Sequence, residues 1–244
     1  MYKALLKWHT RDTTPILHQE ILDDAKNRVE AFTGLRPTNE RLLKGVKILG
    51  VPPRIKDHLR CLLTSKLKCG SFWNRIPGCA ERAMCSPCRK RGTVVMESEQ
   101  HMWLDCEHNR QALAWEIARK VWYKSTDRRW PDISTGLIRG IPALSFEHDY
   151  TKDSERLRIL IALTIWAIWK TRNKFAITDQ DIAPTEARET LKELLSDLVR
   201  RSWNATRFME YGRRADRQRD LRTLWVDEKL EVFDPKAGPT VDFS

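Results

Sequence analysis

The sequence predicts a mainly α-helical protein carrying a small Cys3His zinc-stapled loop or hairpin. Three observations lead there. Apolar residues recur at helical spacing through most of the chain, and few segments alternate with the period of two that marks a half-buried strand. Cys85 and Cys88 stand as C-x2-C, and His101 and Cys106 follow as H-x4-C after a twelve-residue spacer. The chain has 244 residues, 41% of them hydrophobic, enough for a packed core.

The elements follow in order. Residues 15–32 form a first helix, with Ile21, Leu22, Ala25, Val29 and Phe32 near helical spacing and Gly34 to end it. Pro37-Thr38-Asn39-Glu40 opens a second, and Gly50-Val51-Pro52-Pro53 breaks the chain. Residues 54–68 form a third, basic and apolar on different faces. Residues 110–123 are helical, with Leu113, Ile117, Val121 and Trp122 on one side. Residues 127–142, rich in Asp, Trp, Pro and Gly, read as a loop. The strongest helix spans 154–177, where Leu157, Leu160, Ile161, Thr164, Ile165, Ile168 and Trp169 make a wide apolar face, the mark of a central core helix. Pro184 opens another, with Leu191, Leu194, Leu195 and Leu198 turned inward. An arginine-rich stretch from Arg200 to Arg222 follows, and residues 235–244 look disordered. The organisation is an N-terminal helical segment over 1–68, a zinc-binding segment with its following helix over 69–124, a C-terminal helical region over 125–226, and a mostly disordered tail over 227–244.

The four ligands carry the chemistry. Three thiolates and an imidazole complete a tetrahedral zinc shell with no position left for water, the pattern of a structural site. Two residues between the first cysteines let a tight turn aim both sulfurs at one point, with Pro87 restricting that turn. His101 and Cys106 converge from the start of a helix that Met102-Trp103-Leu104 supports. The spacer is basic at its start (Arg89, Lys90, Arg91), then runs through Gly92 and Thr93-Val94-Val95 to an acidic side at Glu97. Cys79 reads as a free thiol, with a spare-ligand role open, and Cys61 and Cys69 as small buried residues.

Six cysteines in so long a chain do not make a secreted disulfide scaffold. No signal peptide is expected after Met1-Tyr2-Lys3, and the longest apolar run, eleven residues from Ile159, is too short for a bilayer that needs about twenty. The expected location is nucleus or cytoplasm. A net charge of +11 suits nucleic acid, because phosphate contacts by lysine and arginine release counterions. The candidate phosphate contacts are Arg89, Lys90 and Arg91 in the loop and Arg213, Arg214 and Arg217 in the arginine-rich stretch, with Trp73 or Trp103 able to stack on bases. No small-molecule substrate is expected. Asp23-Asp24, the one adjacent aspartate pair, lies in helical sequence and reads as a solvated face rather than the two-metal pair of a polymerase. His58, His108 and His148 have no evident catalytic partner.

Phe72-Trp73-Asn74-Arg75-Ile76-Pro77-Gly78, Glu81-Arg82-Ala83-Met84-Cys85, Cys88, Glu97-Ser98-Glu99-Gln100-His101 and Cys106 together resemble the zinc-binding segment that follows the polymerase and RNase H regions of non-LTR (LINE-type) retrotransposon proteins. The likeness is closest to fungal members. It continues through Trp115 and Trp122, through residues 156–161 and 168–173, and through Leu221-Arg222-Thr223-Leu224-Trp225. This chain departs in its Cys88–His101 spacer, longer than the family's, with an insertion near 92–96. The resemblance implies a non-catalytic, zinc-binding, nucleic-acid-binding C-terminal module of a reverse transcriptase protein. A helical scaffold with purely structural zinc, an inert retroelement remnant, and an active RNase H or polymerase fragment are the other readings.

Overall fold

The computed structural model describes residues 16–147, 151–225, 231–234 and 238–241. Its helices are α1 (Ile16–Thr33), α2 (Asn39–Ile48), α3 (Pro53–Leu63), the single turn α4 (Ser71–Asn74), α5 (Ser86–Lys90), α6 (Gln111–Ser125), α7 (Thr135–Gly140), α8 (Thr151–Thr178), α9 (Pro184–Ala205) and α10 (Tyr211–Trp225). Short 3-10 turns lie at Ala80–Ala83, Ile141–Ala143 and Thr206–Phe208, and a π-helical turn at His101–Asp105. The mainly helical expectation holds. Among the described residues no helix is long and apolar enough to cross a membrane.

Local signals act where the sequence places them. Thr38 caps α2, its Oγ1 accepting from Arg41 N at 3.1 Å, which satisfies one of the amides a helix start leaves open. Pro53 and Pro184 begin α3 and α9, where a missing N–H costs nothing. Asp23 and Asp24 lie on α1 and pair within it, with Lys26 at 2.6 Å and Arg28 at 3.4 Å.

The centre of the molecule is α8. Leu157, Leu160, Ile161, Ala162, Leu163, Thr164 and Ile165 are wholly inaccessible, and α3, α5, α6, α9, α10 and the π turn all lie against this helix. A helix contacted from so many sides is apolar around much of its circumference. The buried cluster built on it draws on residues from Leu22 to Leu224 and so joins all three helical stretches.

Two expectations are corrected. Residues 127–142 are not a plain loop: Ser134 caps α7, its Oγ accepting from Leu137 N at 3.2 Å, and Leu137, Ile138 and Ile141 are buried. The glycines that read as loop punctuation serve close approach instead. A Cβ on Gly140 would sit 2.4 Å from Val29 Cγ2 and 2.8 Å from the Ala25 carbonyl oxygen, so α7 and α1 can cross only where α7 has no side chain. The tail read as mostly disordered carries two antiparallel strands, β1 (Glu231–Asp234) and β2 (Gly238–Val241), in the register Glu231↔Val241 to Asp234↔Gly238. β2 lies against α9. The rest of that tail, and His148, lie outside the described residues.

Candidate metal centre

Residues 83–106 form a closed loop. Cys85 N donates to Val95 O at 2.8 Å and Glu97 N to Ala83 O at 2.8 Å, so the two ends of the spacer meet through a single bridge, Met84 opposite Met96. Cys85 then caps α5, and Arg89 N returns to Cys85 O at 2.9 Å. One helical turn brings Cys85 and Cys88 to the same side.

The second ligand pair uses a different device. In an α-helix a residue five positions on points roughly 140° away, because each residue turns about 100°. His101 and Cys106 would then diverge. The chain instead makes a π turn, Cys106 N donating to His101 O at 2.8 Å, an i→i+5 bond that widens the coil and brings the two side chains together. Ser98 Oγ starts the turn by accepting from His101 N at 3.0 Å.

The ligand atoms converge. Cys85 Sγ and Cys106 Sγ are 3.7 Å apart, Cys88 Sγ and Cys106 Sγ 3.7 Å, and Cys88 Sγ and His101 Nε2 3.3 Å, with all four atoms within 4.8 Å of one another. A disulfide would place its sulfurs about 2.05 Å apart. A tetrahedral ion with metal–sulfur bonds of about 2.3 Å places them about 3.8 Å apart, and sulfur about 3.5 Å from the imidazole nitrogen. The spacing therefore fits a tetrahedral metal ion and not a disulfide. The three cysteines are buried. Packed together without an ion they oppose one another: a bond from Cys85 lowers the Cys106 thiol to about 5, that same bond raises Cys85, and burial pushes Cys88 up to about 11. A dication removes the conflict by holding all three as thiolates. Cys79, Cys61 and Cys69 stand outside the cluster.

Behind the ligands, the π turn's carbonyls are satisfied by side chains. Asn109 Nδ2 donates to Met102 O at 2.6 Å, Trp115 Nε1 to Trp103 O at 2.6 Å, and Gln111 Nε2 to Leu104 O at 2.8 Å. Met102 and Trp103 are wholly buried, so Trp103 anchors the turn and has no face to offer a base. Trp73 is half-buried, with Arg82 over its ring at 5.3 Å.

Two ion pairs, one buried and one half-buried, tie the loop to the helices. Glu97 meets Arg172 of α8, and Glu99 meets Arg139 of α7 at 2.5 Å. Burial raises the Glu99 carboxyl, with Arg139 opposing the rise. Gly70 permits this arrangement, since a Cβ there would fall 2.0 Å from Glu97 O. Sequence reasoning placed Glu97 on the acidic side of the loop without a partner and did not single out Asn109, Gln111, Arg139 or Arg172. The available signal was a run of polar residues flanking ligands, the place where orienting groups sit.

The six candidate phosphate contacts are placed as follows. Arg89 pairs with Glu81 at 3.2 Å on the surface. Lys90 Nζ donates to Asp179 O and lies 5.3 Å over the Phe175 ring, and Arg91 pairs with Asp181 at 3.1 Å. Arg110 Nε adds a bond to Ile182 O at 3.1 Å, so the metal loop is stitched to the link between α8 and α9. Arg213 is exposed and 3.7 Å from Glu210. Arg214 donates to the carbonyls of Thr206, Arg207 and Met209 at 3.1, 2.8 and 3.2 Å. Arg217 is half-buried on α10. The structure brings the four metal ligands to one point and leaves these two basic groups on separate elements. No protein-family model, no curated protein and no solved structure matches the chain.

Proposed function

We propose that the chain is a non-catalytic, zinc-binding and nucleic-acid-binding module, the C-terminal part of a non-LTR retrotransposon reverse transcriptase protein. The observation that carries it is the Cys85–Cys88–His101–Cys106 cluster, whose sulfur spacing of 3.7 Å suits zinc. Four protein ligands leave no open coordination position, so the ion would hold the loop rather than activate water. Zinc fits better than a hard cation because thiolates are soft ligands. Nucleic-acid binding draws its support from the net charge of +11 and from the eight arginines against three acids between Arg200 and Arg222.

A second reading, a helical scaffold with structural zinc, is favoured by one specific observation: Lys90 and Arg91 contact Asp179 and Asp181 within the chain. One experiment separates the two. Metal content is measured by mass spectrometry, and binding to labelled RNA and DNA is titrated with salt. Replacing Arg89, Lys90 and Arg91 together by Ala should flatten the log–log salt slope by about two to three units if all three meet phosphate. An unchanged slope with a loosened loop would favour the scaffold, and one zinc per chain is expected on both readings.

A further inference from the structure

The corner between α9 and α10 holds the most exposed aromatic side chains of the described residues. Phe208 is 94% exposed and Tyr211 87%, with Met209 at 38% between them. Large rings in solvent are ordinary singly, but clustered ones mark an interaction site. The corner itself is firmly built. Met209 N closes the 3-10 turn on Thr206 O at 3.0 Å, Gln218 Nε2 donates to Thr206 Oγ1 at 2.9 Å, and Thr206 is wholly buried. Arg214 reaches back from α10 and holds three carbonyls of the turn with its guanidinium. Its role here is to brace the corner, which leaves the rings outside on a rigid mount.

The chemistry around the rings identifies the partner. Arg207 and Arg213 flank them in sequence and both are exposed, and Arg201, Arg217, Arg219 and Arg222 continue along the two helices. The acids nearby are Asp197, which pairs with Arg201 at 2.7 Å, and Glu210, Asp216 and Asp220. The pairs Arg213–Glu210 at 3.7 Å and Arg219–Asp216 at 3.4 Å are almost fully solvated, and such pairs exchange readily for a phosphate. Flat rings that stack on any base, set among cations that meet a backbone, make the surface that single-stranded nucleic acid recognises.

We infer that the Phe208–Tyr211 corner is a stacking platform for single-stranded RNA or DNA. This rests on the nucleic-acid reading above and specifies its site. The test uses the full chain, with anisotropy of labelled single-stranded RNA, single-stranded DNA and duplex DNA over a salt series. Phe208→Ala and Tyr211→Ala should each weaken single-strand binding roughly tenfold at constant salt slope, because stacking contributes without counterion release. Tyr211→Phe should bind as the parent chain does, since the ring suffices. Both rings lie in solvent, so these variants retain the fold, and circular dichroism checks it. Four results overturn the inference. Alanine variants that bind like the parent would remove the platform and leave the nucleic-acid reading intact. Equal affinity for duplex and single strand would remove stacking. A parent chain that binds no nucleic acid at low salt would remove the platform together with the nucleic-acid reading, and a self-association by sedimentation that Phe208→Ala abolishes would assign the rings to protein contact.

Discussion

Arg172 of α8 reaches Glu97 of the metal loop, 75 residues earlier, with Nε at 2.7 Å and Nη2 at 2.5 Å from Oε2. Both side chains are buried, Glu97 completely. Removing one partner of such a pair strands a charge in the core, at a cost of about 3–5 kcal/mol. Arg172→Met should therefore lower unfolding stability by that order. Arg172→Met combined with Glu97→Leu should recover much of it, because both charges are gone. Urea unfolding of the two single variants and the double gives the coupling directly. Additive losses would show that the pair contributes nothing as a pair.

Cys88→Ser should abolish metal binding. Within itself the loop closes on a single bridge and a few turns, so its internal order should depend on a bound ion, because binding energy in such sites is largely folding energy. Amide exchange should rise across residues 79–110, while α8 and α9 keep their protection through the large core. Full metal retention by Cys88→Ser with loss in Cys79→Ser would show that the ligand set is different.

His58 lies 6% exposed among Trp103, Trp166 and Trp169, at ring distances of 6.0, 5.5 and 5.2 Å. Burial lowers its pKa from 6.5 to about 4. Between those values the unfolded chain binds a proton that the folded one does not, so stability is present above pH 6.5 and falls as pH drops towards 4. The loss should approach about 3 kcal/mol across that window. His58→Phe should flatten this slope in unfolding measurements between pH 7 and 5, and an identical slope would show that the imidazole is not the group responsible.

The parts of the fold legible in sequence were those with long periodic patterns. α8 announces itself through Leu157, Leu160, Ile161, Ile165 and Ile168, and the ligand set through its spacing. The short α7 was hidden because Gly136, Gly140 and Pro142 carry the chemistry of a turn. The π turn was hidden because Met102-Trp103-Leu104 has the composition of an α-helix, and only the need for His101 and Cys106 to converge betrays the wider coil. Glu97 and Arg172 could not be matched at all, since nothing local to either residue records a partner 75 positions away.

Gly140 offers a test of the close crossing between α1 and α7. Gly140→Val must displace Val29 or the Ala25 backbone, because the added atoms begin 2.4 and 2.8 Å from them. Overpacking of this kind costs about 1–3 kcal/mol. A thermal midpoint equal to the parent's would mean that the helices separate freely.

Asn109 should matter to the metal without touching it. It is 1% exposed, donates from Nδ2 to Met102 O at 2.6 Å, and accepts from Gln111 N through Oδ1 at 3.0 Å. One side chain thus fixes both the π turn that carries His101 and the start of α6. Asn109→Ala leaves a buried carbonyl and a buried amide unpaired, a loss of about 1–3 kcal/mol. Because the turn sets the distance between His101 and Cys106, part of that loss should be read at the ion: affinity should fall about 10–100-fold, the usual effect of removing a group that orients ligands. Asn109→Asp keeps the acceptor for Gln111 N but sets a buried carboxylate oxygen against Met102 O, so it should bind the ion more weakly than the parent and no better than Ala. A chelator competition titration of the three proteins measures this order. Equal affinities would mean that the π turn holds its shape through Trp103 and Trp115 alone.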